Sequence, residues 1–115
     1  MKIGLFFGSF NPFHIGHKII ACHALEFTQI DQIWIIVSPE SPLKNKDQLL
    51  NPNARFIIVE KSIKDNNNLL PSKIEFSLEK PSYSSKTLVF LEDKYPNYEF
   101  SLIIGEDNLK DFSQW

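Results

Sequence analysis

The stretch Lys2-Ile3-Gly4-Leu5-Phe6-Phe7-Gly8-Ser9-Phe10-Asn11-Pro12-Phe13-His14-Ile15-Gly16-His17 decides the fold. After the lysine it is apolar and stops at a glycine, the pattern of a buried parallel strand running into a tight turn. Behind the loop Gly8 to His14, Ile15 to Phe27 sets Ile19, Ile20, Ala24 and Phe27 at helical spacing, with Asn11 and Pro12 available as a start. Working outward, Ile33 to Val37 is a second apolar, β-branched run that Pro39 and Pro42 terminate. Asn51-Pro52 opens a helical segment through Ala54, Ile57, Ile58 and Ile63, which dissolves at Asn66-Asn67-Asn68. Ile74 to Leu78 alternates as a half-exposed strand would, Leu88, Leu91 and Tyr95 continue as a helix, and Phe100 to Ile104 runs as a buried strand into Gly105. Leu109, Phe112 and Trp115 suggest a short closing helix.

The order βαβαβαβ predicts one α/β domain over residues 1–115, a Rossmann-like doubly wound parallel sheet with helices on both faces. In such sheets a ligand binds beyond the carboxyl ends of the strands, where strand order reverses. The loops Gly8 to His14 and Gly105 to Trp115 are the expected walls of that crevice.

Composition narrows the function. Lys and Arg number 12 against 14 Asp and Glu, so no basic field exists to hold a nucleic-acid backbone or an anionic membrane, and an anionic ligand has to be gripped locally. Cys22 is the single cysteine and reads as a small buried hydrophobe. The apolar run at the N-terminus is too short for a membrane span and lacks the layout of a signal peptide, so a cytoplasmic protein is expected.

The first loop carries the chemistry. Gly8 permits backbone angles and close approach that a side chain forbids, the amides of Ser9 and Phe10 with the helix N-terminus offer fixed donors to a phosphate, and Gly16 clears space over the first turn. His14 and His17, three apart, reach one anionic group together if both belong to the start of the helix. Read alone, the two histidines fit a surface pair, a transition-metal pair or a phosphate site. Their place behind a glycine turn at the carboxyl end of a strand, with no cysteine or acid beside them to complete a metal set, favours phosphate. His23 falls on another face of the helix and reads as a surface or capping residue.

This loop resembles the signature of the nucleotidyltransferase superfamily that carries a His-x-Gly-His motif, and within it the bacterial nicotinate-nucleotide adenylyltransferases. The likeness runs the whole chain. Pro81-Ser82-Tyr83-Ser84 with Thr87-Leu88 is similar to that family's Pro-Ser-Tyr-Thr segment, and Ile104-Gly105-Glu106-Asp107-Asn108-Leu109 to its Gly-x-Asp-x-Leu segment, with Trp115 at the family's spacing. Pantetheine-phosphate adenylyltransferases share the loop but carry Asp-Pro and a threonine where this chain has Asn11-Pro12 and His14, which favours a pyridine mononucleotide as substrate. The resemblance implies that His14 and His17 are catalytic, that Gly8, Ser9, Phe10, Gly16, Lys44, Gly105 and Asp107 bind ATP and its phosphates, and that Tyr83, Ser84 and Trp115 surround the nicotinate ring. Plain structural roles compete: Trp115 as a core cap, Ser84 as a helix N-cap, Lys44 as a solvated cation. Lys86 stands where family members often have Asp or Asn, and Ser84 replaces the commoner threonine while keeping its hydroxyl.

The implied reaction is AMP transfer from ATP to nicotinate mononucleotide, giving deamido-NAD and pyrophosphate in NAD biosynthesis, with Mg²⁺ arriving on the ATP and no metal held by the histidines. The family's C-terminal Ser-Ser-Thr-x-x-Arg motif is absent from the 115 residues, so the chain is expected to be the N-terminal portion of such an enzyme, without the C-terminal part of its sheet. Nicotinamide mononucleotide as acceptor, a non-catalytic nucleotide-binding module, and a zinc site at His14 and His17 stand as alternatives.

Overall fold

A computed structural model describes residues 1–10, 12–39, 51–77 and 84–103, the side chains at 84 and 85 excepted. The first apolar run forms β1 (Lys2–Gly8), followed by α1 (Ile15–Phe27), β2 (Gln32–Val37), α2 (Pro52–Ile63), β3 (Leu69–Ser72), a 3₁₀ turn (Ile74–Ser77), α3 (Ser84–Lys94) and β4 (Glu99–Ile103). Among the described residues the strand pairings are all parallel, in the order β3-β2-β1-β4. The chain winds one way from β1 through β2 to β3 and returns to the other side of β1 for β4. Strand order therefore reverses at β1, where the His-x-Gly-His loop departs.

Alternation along the two inner strands divides the core. Phe6, Ile33, Ile35 and Val37 point to one face, where Ala21 of α1, Val59 and Ile63 of α2, and Phe10 and Phe13 of the loop close over them. Ile3, Leu5, Phe7 and Ile36 point to the other, under Leu88 and Leu91 of α3. With both faces covered, β1 and β2 read as continuous apolar runs, as parallel strands do.

Three details differ from the sequence expectation. The third strand is Leu69–Ser72, and Ile74–Ser77 is a 3₁₀ turn rather than a strand; Leu78 lies outside the described residues. Pro71 disguised the strand; it is tolerated because β3 pairs only with β2 among the described strands, as an edge strand whose prolyl nitrogen owes no ladder bond. The alternation of Ile74 and Phe76 is genuine but serves two cores, Ile74 packing with the Leu91 cluster and Phe76 with the Val59 cluster.

The inward face of α1 is the second difference. Ala21 is fully buried with Cys22, Ala24 and Leu25 packed near it, while Ile19, Ile20 and Phe27 are exposed. The third is α2, where Ala54 and Ile57 face solvent and the buried stripe is Arg55, Val59, Ile63, at i, i+4 and i+8. The expected start of α2 holds, Asn51 capping it by accepting from Asn53 N–H at 2.8 Å with Pro52 in the first turn, whereas α1 begins at Ile15 with His14 rather than Asn11 or Pro12 as its N-cap. The helix expected after Gly105 lies outside the described residues. No helix among the described residues is long and apolar enough to cross a membrane.

Candidate active site

β1 ends at Gly8, whose carbonyl accepts from Ser38 N–H at 2.9 Å, so the loops after β1 and β2 leave the sheet side by side. The turn that follows depends on Phe10 rather than on a left-handed glycine. Phe10 itself sits at φ 50°, and no described glycine has a positive φ. A left-handed bulky residue costs on the order of 1–2 kcal/mol, which its surroundings have to offset. The Phe10 ring is buried edge-on to Phe6, Phe13 and His17, with centroids 5.3, 5.5 and 5.1 Å away. It lies directly over Gly8, where a Cβ would come within 3.0 Å of the ring. A side chain at position 8 would therefore have to displace the ring.

The two histidines form a reciprocal cap on α1. His14 is the N-cap residue, and its Nδ1 accepts from Gly16 N–H at 3.0 Å, while His17 Nδ1 accepts from His14 N–H at 3.0 Å. This is the capping-box arrangement with imidazoles in place of hydroxyl and carboxylate. A backbone N–H can only donate, so each Nδ1 is the unprotonated nitrogen and the ring proton is on Nε2. The rings stack at 3.9 Å, and with both Nδ1 atoms turned to the backbone, both Nε2–H edges face away from it. The space above Gly16 is filled by the His14 ring, whose Cε1 would lie 2.8 Å from an added Cβ; a glycine is needed there for the cap to close.

Burial between Phe10 and Phe13, and secondarily the repulsion that two protonated imidazoles stacked on each other would meet, hold His17 down to about 4. At neutral pH it is an uncharged donor. His23 is exposed against Phe27, at 4.6 Å, and takes no part.

Gly8, Ser9, Phe10, His14, Gly16 and His17 therefore come together at the end of β1. Ser84 is the first residue of α3, so it lies inside the helix rather than at its N-cap. Lys44, Tyr83, Gly105, Asp107 and Trp115 lie outside the described residues.

Polar residues that sequence reasoning passed over underlie this loop. Arg55 is fully buried and donates to the carbonyls of Ser9, Ser38 and Pro39 at 2.6, 2.7 and 2.9 Å. Burial pushes its guanidinium below the usual range. Ser38 in turn donates its hydroxyl to Glu75 Oε1 at 2.7 Å, and buried Thr87 of α3 donates to Glu75 Oε2. Burial raises the Glu75 carboxyl, against the lowering pull of these two hydroxyls. The available signal was an arginine on the apolar stripe shared with Val59 and Ile63.

A doubly wound parallel sheet with the two imidazoles on the loop at the strand-order reversal defines an α/β domain whose ligand crevice lies at the end of β1. The chain belongs to the cytidylyltransferase-like family, whose match spans residues 5–115. A curated relative from Flavobacterium psychrophilum, named a probable nicotinate-nucleotide adenylyltransferase, is 53% identical over 115 residues, covering 100% of this chain and 60% of the relative. One of the same name from Cytophaga hutchinsonii is 52% identical, with the same 100% and 60% coverage. The chain thus spans about 60% of the length of these relatives. Among solved structures, the Plasmodium falciparum nicotinic acid mononucleotide adenylyltransferase complexed with NaAD superposes with a TM-score of 0.83 at 21% identity, over 99% of this chain and 56% of that one. That likeness establishes the shared fold.

Proposed function

We propose that the chain is the front, nucleotide-binding part of a cytoplasmic nicotinate-nucleotide adenylyltransferase of NAD biosynthesis. The observation that carries this reading is the paired Nε2–H edges of His14 and His17, held by their Nδ1 bonds to backbone amides at the phosphate end of β1. A phosphate oxygen of nicotinate mononucleotide attacks the α-phosphorus of ATP, the bond to the β-phosphate oxygen breaks, and pyrophosphate leaves. The attacking group is already an anion, so alignment and stabilisation of charge on the α-phosphate are what the protein supplies. His14 and His17 donate to that phosphate from preset positions, joined by the amides of Ser9 and Phe10. The names of the relatives support nicotinate mononucleotide as the acceptor, and in this reading Tyr83, Ser84 and Trp115 surround the nicotinate ring while Lys44, Gly105 and Asp107 hold the nucleotides.

The donors at the loop are N–H groups, and the described residues contain no cluster of three or more His, Cys, Asp or Glu that could hold a metal. N–H donors suit phosphate oxygens, and in this reading Mg²⁺ would arrive on the phosphates of ATP. When bound it neutralises phosphate charge.

The test is pyrophosphate release by the full-length protein. Nicotinate mononucleotide should be used with higher kcat/KM than nicotinamide mononucleotide, and His17→Ala should lower kcat at least about a hundredfold, roughly 3 kcal/mol, as loss of one preorganised donor does. A His17→Ala variant within threefold of the parent would reject the catalytic assignment; equal use of the two acceptors would reject the nicotinate assignment.

A further inference from the structure

We propose that Arg55 is a positioning residue for the phosphate loop, acting through the Ser9–Phe10 peptide; this rests on the nucleotidyltransferase reading above. The guanidinium is sealed from solvent and meets the backbone of two loops, Ser9 after β1 and Ser38 and Pro39 after β2. A planar fork of N–H donors suits several carbonyls at once, which the point charge of a lysine does not. The carbonyl of Ser9 and the N–H of Phe10 belong to one trans peptide and point in opposite directions. By drawing the Ser9 oxygen toward itself at 2.6 Å, Arg55 turns the Phe10 N–H to the far side of that peptide.

Phe10 is the residue with φ 50°, so the same peptide leads into the strained turn. Its ring packs edge-on to catalytic candidate His17 at 5.1 Å. The guanidinium therefore fixes a peptide donor directly and the His17 ring at one remove. The other anchor of the fork is itself tied down, because the Ser38 hydroxyl is held by Glu75. Sequence offers a compact reason for a charged residue on the apolar stripe of α2: a leucine at position 55 would continue the stripe with Val59 and Ile63 but leave three inward-turned carbonyls without this donor.

The experiment uses the full-length protein with Arg55→Lys and Arg55→Met, below their melting temperatures and with circular dichroism establishing the folded state. Expected for Arg55→Lys is a fall in kcat of about tenfold or more, with KM for the mononucleotide within about twofold, since one preset donor is misaligned rather than the acceptor site. A double-mutant cycle with His17→Ala should be non-additive, which a merely stabilising arginine would not produce. Calorimetric titration with a non-hydrolysable ATP analogue gives an arm free of turnover: affinity should fall about tenfold or more in Arg55→Lys, and the amide resonance of Phe10 should lose its response to the analogue. If the parent binds the analogue and turns over while folded Arg55→Lys does both equally well, the role of Arg55 is refuted and the reading of the site stands. If the parent itself fails to bind the analogue, the nucleotidyltransferase reading falls, and the Arg55 role with it.

Discussion

Replacing His17 by glutamine removes a group at the site whose titration the structure displaces far. Glutamine at the third helical position keeps a capping-box acceptor for the His14 N–H but cannot titrate. With a folded value of about 4 against an ordinary 6.5, His17 is mostly neutral at pH 5.5, where an ordinary imidazole is about 90% protonated. Between those values the unfolded chain binds the proton that the folded one refuses. Stability owed to neutral His17 is thus fully present above about 6.5 and is lost as pH falls toward 4. At about 1.4 kcal/mol per pH unit the ceiling over this window is about 3.4 kcal/mol, and solvent screening of a half-buried ring reduces the expected effect to about 1–2 kcal/mol. Glu75 works in the opposite sense: its raised carboxyl binds a proton more readily folded than unfolded, so its contribution falls as pH rises above the ordinary carboxyl value. The informative quantity is therefore the difference between parent and His17→Gln in urea midpoints at pH 4.5 and pH 7, with the His17 ring titration followed by NMR. The parent should lose about 1–2 kcal/mol more than the variant on acidification. A His17 midpoint above pH 6, or identical pH dependence in the two proteins, would refute the reasoning.

Two further outcomes follow from the packing of the loop. Gly8→Ala sets a methyl 3.0 Å from the Phe10 ring, so overpacking should cost about 1–3 kcal/mol in chemical denaturation and lower kcat through the displaced His17; unchanged stability would show that the ring yields freely. Glu75→Leu removes the acceptor of two hydroxyl bonds and should destabilise by about 2–4 kcal/mol, with Glu75→Gln milder because an amide of the same shape still offers one acceptor oxygen; equal losses in the two variants would show that the retained oxygen contributes nothing.

Legibility in the sequence followed physical simplicity. β1, α1, β2 and α2 were readable because inner strands of a parallel sheet are uniformly apolar and because Asn51-Pro52 is an unambiguous helix start. β3 was not, since an edge strand admits Pro71 and needs few apolar residues, and an alternating Ile74-Glu75-Phe76 imitates a strand when a 3₁₀ turn sits between two cores. His14 and His17 were correctly brought together by their spacing, but their reciprocal cap depends on ring rotamers that no residue pattern encodes. Gly16 was read as room for a ligand, whereas the His14 ring takes that room. Arg55 and Glu75 escaped notice because a polar residue on a buried stripe looks like an interruption of the pattern until its partners, 46 residues away for Ser9 and 37 for Ser38, are folded against it.

The central position of β1 has a bearing on breathing motions. Local opening in a sheet starts at rows of backbone with a partner on one side only, and β1 is flanked by β2 and β4. Fluctuations that peel away β3 leave Gly8 in register with Val37, so the strand end that delivers the two histidines should exchange more slowly than the β3 edge. A site hung from it keeps its own frame of reference while the edge of the sheet frays.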